Sequence, residues 1–277
     1  MTDTTGAGVP ISRRRFVALA AGTVAAAVTE ACGPEAKEPS GPPSAAVQGR
    51  LLARPAAPTR TASPGLRALG LSTGRDGLLY VPAGYRPDQP APLVVMLHGA
   101  GGNASQGLLP FRDQADDAGL VLLAPQSRYQ TWDVVQVRGY GPDVDFIDQA
   151  LALAFDNVAV DPARVAIEGF SDGASYALSL GLINGDLFSR VVAFSPGGVA
   201  AGTPHGKPRF FITHGTQDQI LSVAVTRDQI VPQLLGAGYE VQYREFDGPH
   251  AVPATLAVEA VHWLAGSQGG VVSGPIP

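Results

Sequence analysis

Cysteine is almost absent from this chain of 277 residues, which contains only Cys32. One cysteine cannot form a disulfide within the chain or supply a site built from several thiolates, so both kinds of framework are excluded. Charged residues are also scarce, at 16% of the chain, whereas apolar residues make up 45%. This balance is too apolar for a disordered protein, and the length is sufficient for a large buried core.

Basic charge is in short supply as well. The chain has 19 Lys and Arg residues against 24 Asp and Glu, which gives a formal net charge of −5. Binding of nucleic acid or of an anionic membrane through bulk charge needs the opposite balance. We therefore expect no nucleic-acid partner, and a membrane contact only through the N-terminal segment.

The apolar segment near the N-terminus is too short to cross a bilayer comfortably. It covers residues 16–28 and follows three arginines at 13–15, which is the layout of an export signal. Residues 12–17 (SRRRFV) resemble the twin-arginine signal, and a basic amphipathic helix is the alternative. We predict that residues 1–31 are a twin-arginine-type export signal. The mature protein would be secreted, periplasmic or anchored to the cell envelope of a bacterium.

A lipid anchor is one outcome of that export. Residues 29–33 (TEACG) resemble a bacterial lipoprotein box, in which Cys32 would be the lipidated first residue. Thr29 and Glu30 depart from the small or aliphatic residues that the pattern prefers, so ordinary signal-peptidase cleavage nearby is the alternative. Lipidated Cys32 would be the only membrane contact.

Composition divides the remaining chain into three parts. Residues 32–65 are rich in Pro, Gly and Ala without an apolar period, which predicts a flexible tether. Residues 66–265 have the size of one catalytic domain. Residues 266–277 are rich in Gly, Ser and Pro, and we expect a flexible C-terminal tail.

Short apolar segments alternate with helix-length segments through the predicted domain. Most are continuous runs of Val, Ile, Leu and Phe, as in strands buried on both faces, and the order predicts an α/β fold with a mostly parallel central sheet and helices on both faces. The predicted strands are 77–81, 92–97, 120–124, 164–170, 190–194, 209–213 and 239–246. The predicted helices are 103–118, 143–156, 172–184, 222–237 and 253–265. Ligands bind such sheets at the carboxyl ends of the strands.

A candidate nucleophile follows the predicted strand at 164–170. The segment 169–173 (GFSDG) places Ser171 on a sharp turn between this strand and a helix-compatible segment. A nucleophile on such a turn has a strained backbone, and glycines two residues away on either side avoid clashes with neighbouring chain. The G-x-S-x-G pattern is weak alone, and the strand before it and the helix after it are what support Ser171.

Ser195 is a competing candidate. It follows the next predicted strand in a related pattern, residues 193–197 (AFSPG). Pro196 and Gly197 open a loop here rather than a helix, so no helix dipole would face the hydroxyl. Ser171 is therefore the predicted nucleophile.

A serine nucleophile needs a general base, and the base needs a group that orients it. Asp218 and His250 each follow a predicted strand, and the order Ser171, Asp218, His250 is that of α/β-hydrolases. In this interpretation His250 takes the proton of Ser171, and Asp218 fixes the imidazole tautomer. A loop histidine without a role is the alternative. Of the other histidines, His98 and His214 are expected to brace strand ends.

The segment 98–103 (HGAGGN) follows another predicted strand and is rich in glycine. Such a loop can present backbone N–H groups that stabilise the oxyanion of acyl transfer. Ala100 or Gly101 is the predicted donor, together with the N–H of Asp172. A phosphate-binding turn is the alternative, but the segment lacks both G-x-G-x-x-G and the lysine of a P-loop.

Taken together, these residues resemble the α/β-hydrolase superfamily, in particular bacterial esterases near polyhydroxybutyrate depolymerases, feruloyl esterases and phospholipase/carboxylesterases. The resemblance covers residues 76–265. The matching segments are 97–102, 169–173, 214–218 and 248–250, with 143–147 similar to the acidic start of the helix before the nucleophile strand. The resemblance implies an α/β-hydrolase fold and a serine esterase that needs no metal or organic cofactor.

The resemblance also places the turn around Trp132 beside the mouth of the active site. There the indole would stack on an acyl or aryl group of the substrate, whereas a cap on the edge of the core is the alternative. No long lid of the lipase type is evident, so we expect an open site for short-acyl, aryl or polymeric esters. A peptidase or amidase on the same fold, and a non-catalytic binding protein that kept it, are the other functions left open.

Overall fold

A mixed eight-stranded sheet runs through residues 45–266, the part of the chain that the computed structural model describes. The strand order is β1-β2-β4-β3-β5-β6-β7-β8. The strands are β1 (Gly65–Ala68), β2 (Gly77–Val81), β3 (Ala91–Leu97), β4 (Val121–Pro125), β5 (Val160–Phe170), β6 (Arg190–Phe194), β7 (Arg209–Gly215) and β8 (Val241–Phe246). β2 is antiparallel to both β1 and β4, and all other neighbours are parallel.

Most helices lie where the sequence predicts them, but a short helix at Asp133–Gln136 is not among those predicted and two others are interrupted. The helices are α1 (Ala104–Leu108), α2 (Ala115–Ala118), α3 (Asp133–Gln136), α4 (Pro142–Asn157), α5 (Asp172–Ile183), α6 (Val223–Val225), α7 (Val231–Gly236) and α8 (Ala254–Ala265). The helix predicted at 103–118 is interrupted between α1 and α2, where Pro110 cannot supply a backbone N–H. A π-helical turn, Thr226–Ile230, joins α6 to α7. Within residues 45–266, no helix combines the length and apolarity that crossing a membrane requires.

Apolar side chains cover both faces of the sheet, which confirms the predicted α/β architecture. On β5, Ile167 belongs to a buried cluster that includes side chains of α4, α5 and α7. Its neighbour Ala166 belongs to a second cluster that includes side chains of α1, α2 and α8. Successive residues of a strand point to opposite faces, so a continuous apolar run is what two covered faces require.

Residues 45–65 lie against the domain, which differs from the free tether expected for residues 32–65. Leu51 is fully buried. The side chain of Asn184 accepts a hydrogen bond from the N–H of Leu51 (2.9 Å) and donates one to the carbonyl of Gly49 (2.8 Å). Arg50 donates to both carboxylate oxygens of Asp186. These contacts pair main chain with distant side chains, so they leave no apolar period in the sequence.

The other terminal predictions fall outside the described residues. These are the export signal at 1–31, Cys32, the first part of the tether, and the C-terminal tail beyond Gly266.

The sheet brings the loops of interest to one edge. Leu97, the last residue of β3, is opposite Gly169 near the end of β5. Gly215 at the end of β7 is likewise opposite Phe246 at the end of β8. Because these strands are parallel, the segments that follow them meet at the carboxyl edge of the sheet.

Candidate active site

Ser171 occupies a strained turn between β5 and α5. Its φ is 59°, in the left-handed region that residues with a side chain rarely adopt. A Cβ atom on Gly169 would lie 2.2 Å from the carbonyl carbon of Gly173, and one on Gly173 would lie 2.2 Å from the carbonyl oxygen of Leu97. No side chain fits at either position, so the two glycines permit the turn that presents Ser171 at the start of α5.

The structure brings Ser171, Asp218 and His250 together. His250 Nε2 lies 2.8 Å from Ser171 Oγ, and His250 Nδ1 lies 2.6 Å from Asp218 Oδ2. The imidazole packs against Phe170, with the ring centroids 4.7 Å apart, which fixes its plane. A nucleophile, a base and an orienting carboxylate are therefore connected by two hydrogen bonds.

The carboxylate of Asp218 is fully buried, yet its surroundings favour the ionised form. Burial raises the pKa of Asp218, but hydrogen bonds from the Leu221 N–H, from His250 and from the Ile220 N–H outweigh it, so the pKa lies below its usual value. The two N–H groups bind Oδ1, at 2.9 and 2.8 Å. Oδ2 is the oxygen that His250 contacts.

A second histidine, His214, contacts the carboxylate of Asp218. The sequence predicts only that His214 braces the end of a strand. The ring is fully buried, and its Nε2 lies 3.1 Å from Asp218 Oδ2 and 2.9 Å from the carbonyl oxygen of Leu221. Nδ1 lies 2.8 Å from Thr226 Oγ1. An Nε2–H tautomer, accepting from Thr226 at Nδ1, satisfies these contacts. His214 therefore helps to hold Asp218 in place.

Of the two predicted oxyanion donors on the loop after β3, only Ala100 has a free N–H. The N–H of Gly101 donates to the carbonyl of Gln130 at 2.7 Å. Within residues 45–266 the Ala100 N–H has no protein acceptor. Asp172 is the first residue of α5, where an N–H has no intrahelical acceptor. Ala100 and Asp172 therefore have the free donors that an oxyanion would need.

Trp132 does not line the site, and the prediction that it stacks on substrate is wrong. The side chain is fully buried, and its Nε1 donates to the carbonyl of His98 at 2.9 Å. Its ring is stacked on Tyr176, with centroids 5.2 Å apart. A buried indole N–H needs an acceptor, and the His98 carbonyl provides it. The alternative, a cap on the core, describes its position.

A cavity of about 480 Å³ borders the oxyanion loop. Gly99, Ala100 and Phe170 form its wall on the side of the candidate triad, and the connection from α1 to α2 and the start of α8 form the rest. Gln114 lines the cavity, and its buried Oε1 has no hydrogen-bond partner among the described residues. Leu109, another lining residue, is strongly exposed. The cavity thus combines apolar walls with a few polar side chains, among them Asp113 and Gln114.

The site has the components of acyl transfer without a metal centre. Within the described part of the chain, no group of three or more His, Cys, Asp or Glu side chains is placed to bind a metal ion. The reactive groups are the serine hydroxyl, the imidazole and the two free amides described above. Together they can activate a nucleophile and stabilise an oxyanion.

Comparison with known proteins gives relatives that are esterases. No family model matches the chain. It is 31% identical over 167 residues to an acetylxylan esterase of Coprinopsis cinerea, covering 57% of this chain and 42% of that protein. It is 28% identical over 157 residues to feruloyl esterase C of Emericella nidulans, covering 53% and 56% respectively. The chain thus matches about half the length of these curated relatives.

Solved structures resemble the fold more extensively. The fluorophosphonate-binding serine hydrolase F of Staphylococcus aureus superposes with a TM-score of 0.58 at 15% identity, covering 74% of this chain and 99% of that one. The chain has the α/β-hydrolase fold predicted from its sequence, and its sequence relatives are acetylxylan and feruloyl esterases.

Proposed function

We propose that this protein is a serine esterase that hydrolyses carboxylic esters through an acyl-enzyme. The observation that supports this most directly is the hydrogen-bonded series Asp218–His250–Ser171, with distances of 2.6 and 2.8 Å. The free amides of Ala100 and Asp172 and the esterase relatives support it further.

In the proposed mechanism, Ser171 Oγ attacks the ester carbonyl carbon while His250 Nε2 accepts the serine proton. The carbonyl oxygen becomes an oxyanion that accepts hydrogen bonds from the N–H groups of Ala100 and Asp172. The ester C–O bond then breaks, and His250 gives its proton to the leaving alcohol oxygen. Water attacks the acyl-enzyme by the same sequence of steps, releasing the acid and restoring Ser171.

Asp218 acts on His250 in two ways in this proposal. Accepting from Nδ1–H keeps Nε2 free to take the proton of Ser171. The lowered pKa of Asp218 keeps the carboxylate ionised, so it stabilises the imidazolium that forms. His214 contributes by holding the same oxygen, Oδ2, through its Nε2.

The cavity beside Ala100 indicates which acyl groups the site would favour. Its volume, about 480 Å³, lies in the range of small-molecule sites and far exceeds what an acetyl group fills. The polar side chains on its wall, Asp113 and Gln114 among them, would form a hydrogen bond with a hydroxyl on the bound group. We infer a preference for esters of hydroxylated aromatic acids, the class to which feruloyl esters belong, over acetate esters.

An ester panel tests this preference separately from the activity itself. Methyl ferulate, methyl cinnamate and methyl acetate share one alcohol and differ only in the acyl group. We expect kcat/KM to fall in that order. A preference for the acetate would overturn the inferred acyl class and leave the esterase proposal intact.

Replacing the nucleophile tests the esterase proposal. Ser171→Ala should abolish hydrolysis of p-nitrophenyl acetate and labelling by a fluorophosphonate probe, with thermal unfolding unchanged within a few degrees. Ser195→Ala is the matched control, since the buried Ser195 hydroxyl has no partner among the described residues and should be dispensable. Retention of most activity in Ser171→Ala would overturn the proposal.

Two further outcomes identify the alternatives. Faster turnover of a matched anilide than of the ester would favour an amidase, and a folded wild-type protein that reacts with neither substrate nor probe would favour a non-catalytic binding protein.

We also propose that residues 1–31 direct export and that the mature chain begins near Cys32. The basic and apolar layout of residues 12–28 supports this. Mass spectrometry of the mature N-terminus distinguishes a diacylglycerol-modified Cys32 from an unmodified cleavage product. Finding the intact signal on protein from the native host would contradict export.

A further inference from the structure

The loop between β4 and α4, residues 126–141, is hydrogen-bonded to both segments that carry the candidate oxyanion donors. The carbonyl of Gln130 accepts from the N–H of Gly101 at 2.7 Å, directly after Ala100 in the chain. The hydroxyl of the next residue, Thr131, donates to Asp172 Oδ2 at 2.7 Å. Two consecutive residues of this β4–α4 loop therefore contact the two separate segments that would form the oxyanion hole.

The same loop also holds the start of the oxyanion segment at His98. Trp132 Nε1 donates to the His98 carbonyl at 2.9 Å, and the N–H of Ser127 donates to His98 Nε2 at 3.1 Å. The rings of His98 and Trp132 are in contact, with centroids 4.8 Å apart. His98 is thus held by two residues of one loop, Ser127 and Trp132, which limits how far the following Ala100 can move.

Two buried carboxylates hold the loop in this shape. Asp143 at the start of α4 accepts from the N–H of Arg128 (2.5 Å) and from the N–H of Asp133 (2.6 Å). Asp133 in turn accepts from the N–H groups of Gly141 (2.9 Å) and Asp143 (3.0 Å), and from the hydroxyl of Tyr176 (2.8 Å). Both carboxylates are almost completely buried, and they join the beginning, middle and end of the loop.

We propose that Asp133 and Asp143 are positioning residues for the oxyanion hole. They hold the β4–α4 loop, and the loop holds the amides of Ala100 and Asp172 in place. The inference rests on the proposed esterase function and adds residues that touch neither substrate nor nucleophile. Its chemical basis is that an oxyanion donor must lie about 2.7–3.1 Å from the oxygen that becomes charged. A displacement of about 1 Å can reduce turnover by about a hundredfold.

The surroundings of the pair make this support sensitive to pH. Burial raises the pKa of Asp143 to about 6. The hydrogen bond from the Arg128 N–H opposes this rise, and the charge of Asp133 adds to it. Burial also raises the pKa of Asp133. The other charged or titratable groups that face the pair are the Arg128 guanidinium, Tyr140 and Tyr176. A proton on Asp143 weakens one carboxylate acceptor, so the loop should loosen as the pH falls below about 6.

Asp143→Asn tests the proposal, because the amide nitrogen cannot accept one of the two backbone N–H groups that the carboxylate binds. We expect kcat for p-nitrophenyl acetate at pH 7.5 to fall by about 10- to 100-fold, with KM changed less than about threefold. Asp145→Asn is the matched control: it removes the same charge from the same helical turn, but at an exposed position, and should retain wild-type kcat.

The pH profile separates positioning from a general structural role. Below about pH 6 the wild type should lose activity through protonation of Asp143. Asp143→Asn lacks this carboxyl group, so the ratio of wild-type to variant kcat should shrink as the pH falls from 7.5 to 5. A ratio that does not change with pH would contradict the proposal.

Thr131→Val keeps the test decisive if Asp143→Asn does not fold. It removes the bond to Asp172 without leaving an uncompensated charge, and should lower kcat by about three- to tenfold. Wild-type kcat in a folded Asp143→Asn, or in Thr131→Val where Asp143→Asn does not fold, overturns the positioning role. A wild type without esterase activity would instead overturn the proposed function.

Discussion

Glu168 lies in the middle of the sheet with no hydrogen-bond partner in the described part of the chain, and this predicts a pH-dependent loss of stability. It is on β5, three residues before Ser171, and is fully buried. Its register neighbours are Met96 on β3 and Val192 on β6, and neither carboxyl oxygen has a hydrogen-bond partner among the described residues. Burial raises the pKa of Glu168 well above its usual value, so the folded protein favours the neutral acid.

The sign of the effect follows from proton binding in the two states. In the unfolded chain the glutamic acid ionises near its ordinary pKa of about 4.3, whereas the folded chain keeps the proton to higher pH. The pH-dependent loss of stability that Glu168 causes is therefore absent below about pH 4. As the pH rises from there towards the folded pKa, the free energy of unfolding falls by about 1.4 kcal/mol per pH unit.

Glu168→Met removes the ionisable group and keeps a side chain of similar length in an apolar environment. Relieving one unpartnered buried polar group should raise the free energy of unfolding by about 1–3 kcal/mol at pH 5. The difference from the wild type should then grow with pH, by up to about 1.4 kcal/mol per unit. Urea unfolding at pH 5, 6, 7 and 8 measures both quantities.

The exposed Asp117 offers the matched control, because Asp117→Asn should give a nearly constant small difference across these pH values. A stability difference for Glu168→Met that is equally independent of pH, or a variant less stable than the wild type at pH 8, would refute this reasoning.

Two more variants test the cavity and the N-terminal segment. Gln114→Leu removes one polar side chain from the cavity wall, so KM for methyl ferulate should rise about fivefold, the equivalent of about 1 kcal/mol, while p-nitrophenyl acetate is unaffected; an equal change for both esters would contradict the assigned contact. Asn184→Ala leaves the Leu51 N–H and the Gly49 carbonyl unpaired, so stability should fall by about 1–3 kcal/mol and limited proteolysis near residue 50 should accelerate. Its kcat should not change, because Asn184 follows the end of α5 and lies about 20 Å along the helix from Ser171; unaltered proteolysis would count against this docking.

The three reactive residues could be selected from the sequence because their positions follow from local rules. Ser171 lies between two glycines at a change from strand to helix, and Asp218 and His250 lie in the short segments that follow β7 and β8. Parallel strands deliver the residues that follow them to the same edge of the sheet. Apolar runs predict the strands, and the strands bring together side chains that lie far apart in the chain.

The surroundings of these residues could not be predicted, because they depend on partners remote in sequence. Trp132 is buried since its indole meets the His98 carbonyl and the ring of Tyr176, and neither contact leaves a local pattern. The choice between Ala100 and Gly101 depends on one bond to the carbonyl of Gln130. A prediction from pattern alone can therefore place a nucleophile and still miss what holds its oxyanion donors.

Two different kinds of unfavourable local structure occur close together at the end of β5, one at Glu168 and one at Ser171. The left-handed backbone of Ser171 is what presents its hydroxyl, so relieving that strain would disturb the proposed reaction. The unpartnered acid of Glu168 costs stability too, but no step of the mechanism uses it. Glu168→Met should therefore gain stability and keep the wild-type kcat. If kcat falls while stability rises, the acid contributes to the geometry of the turn. The stability that the buried acid costs would then be explained by the reaction.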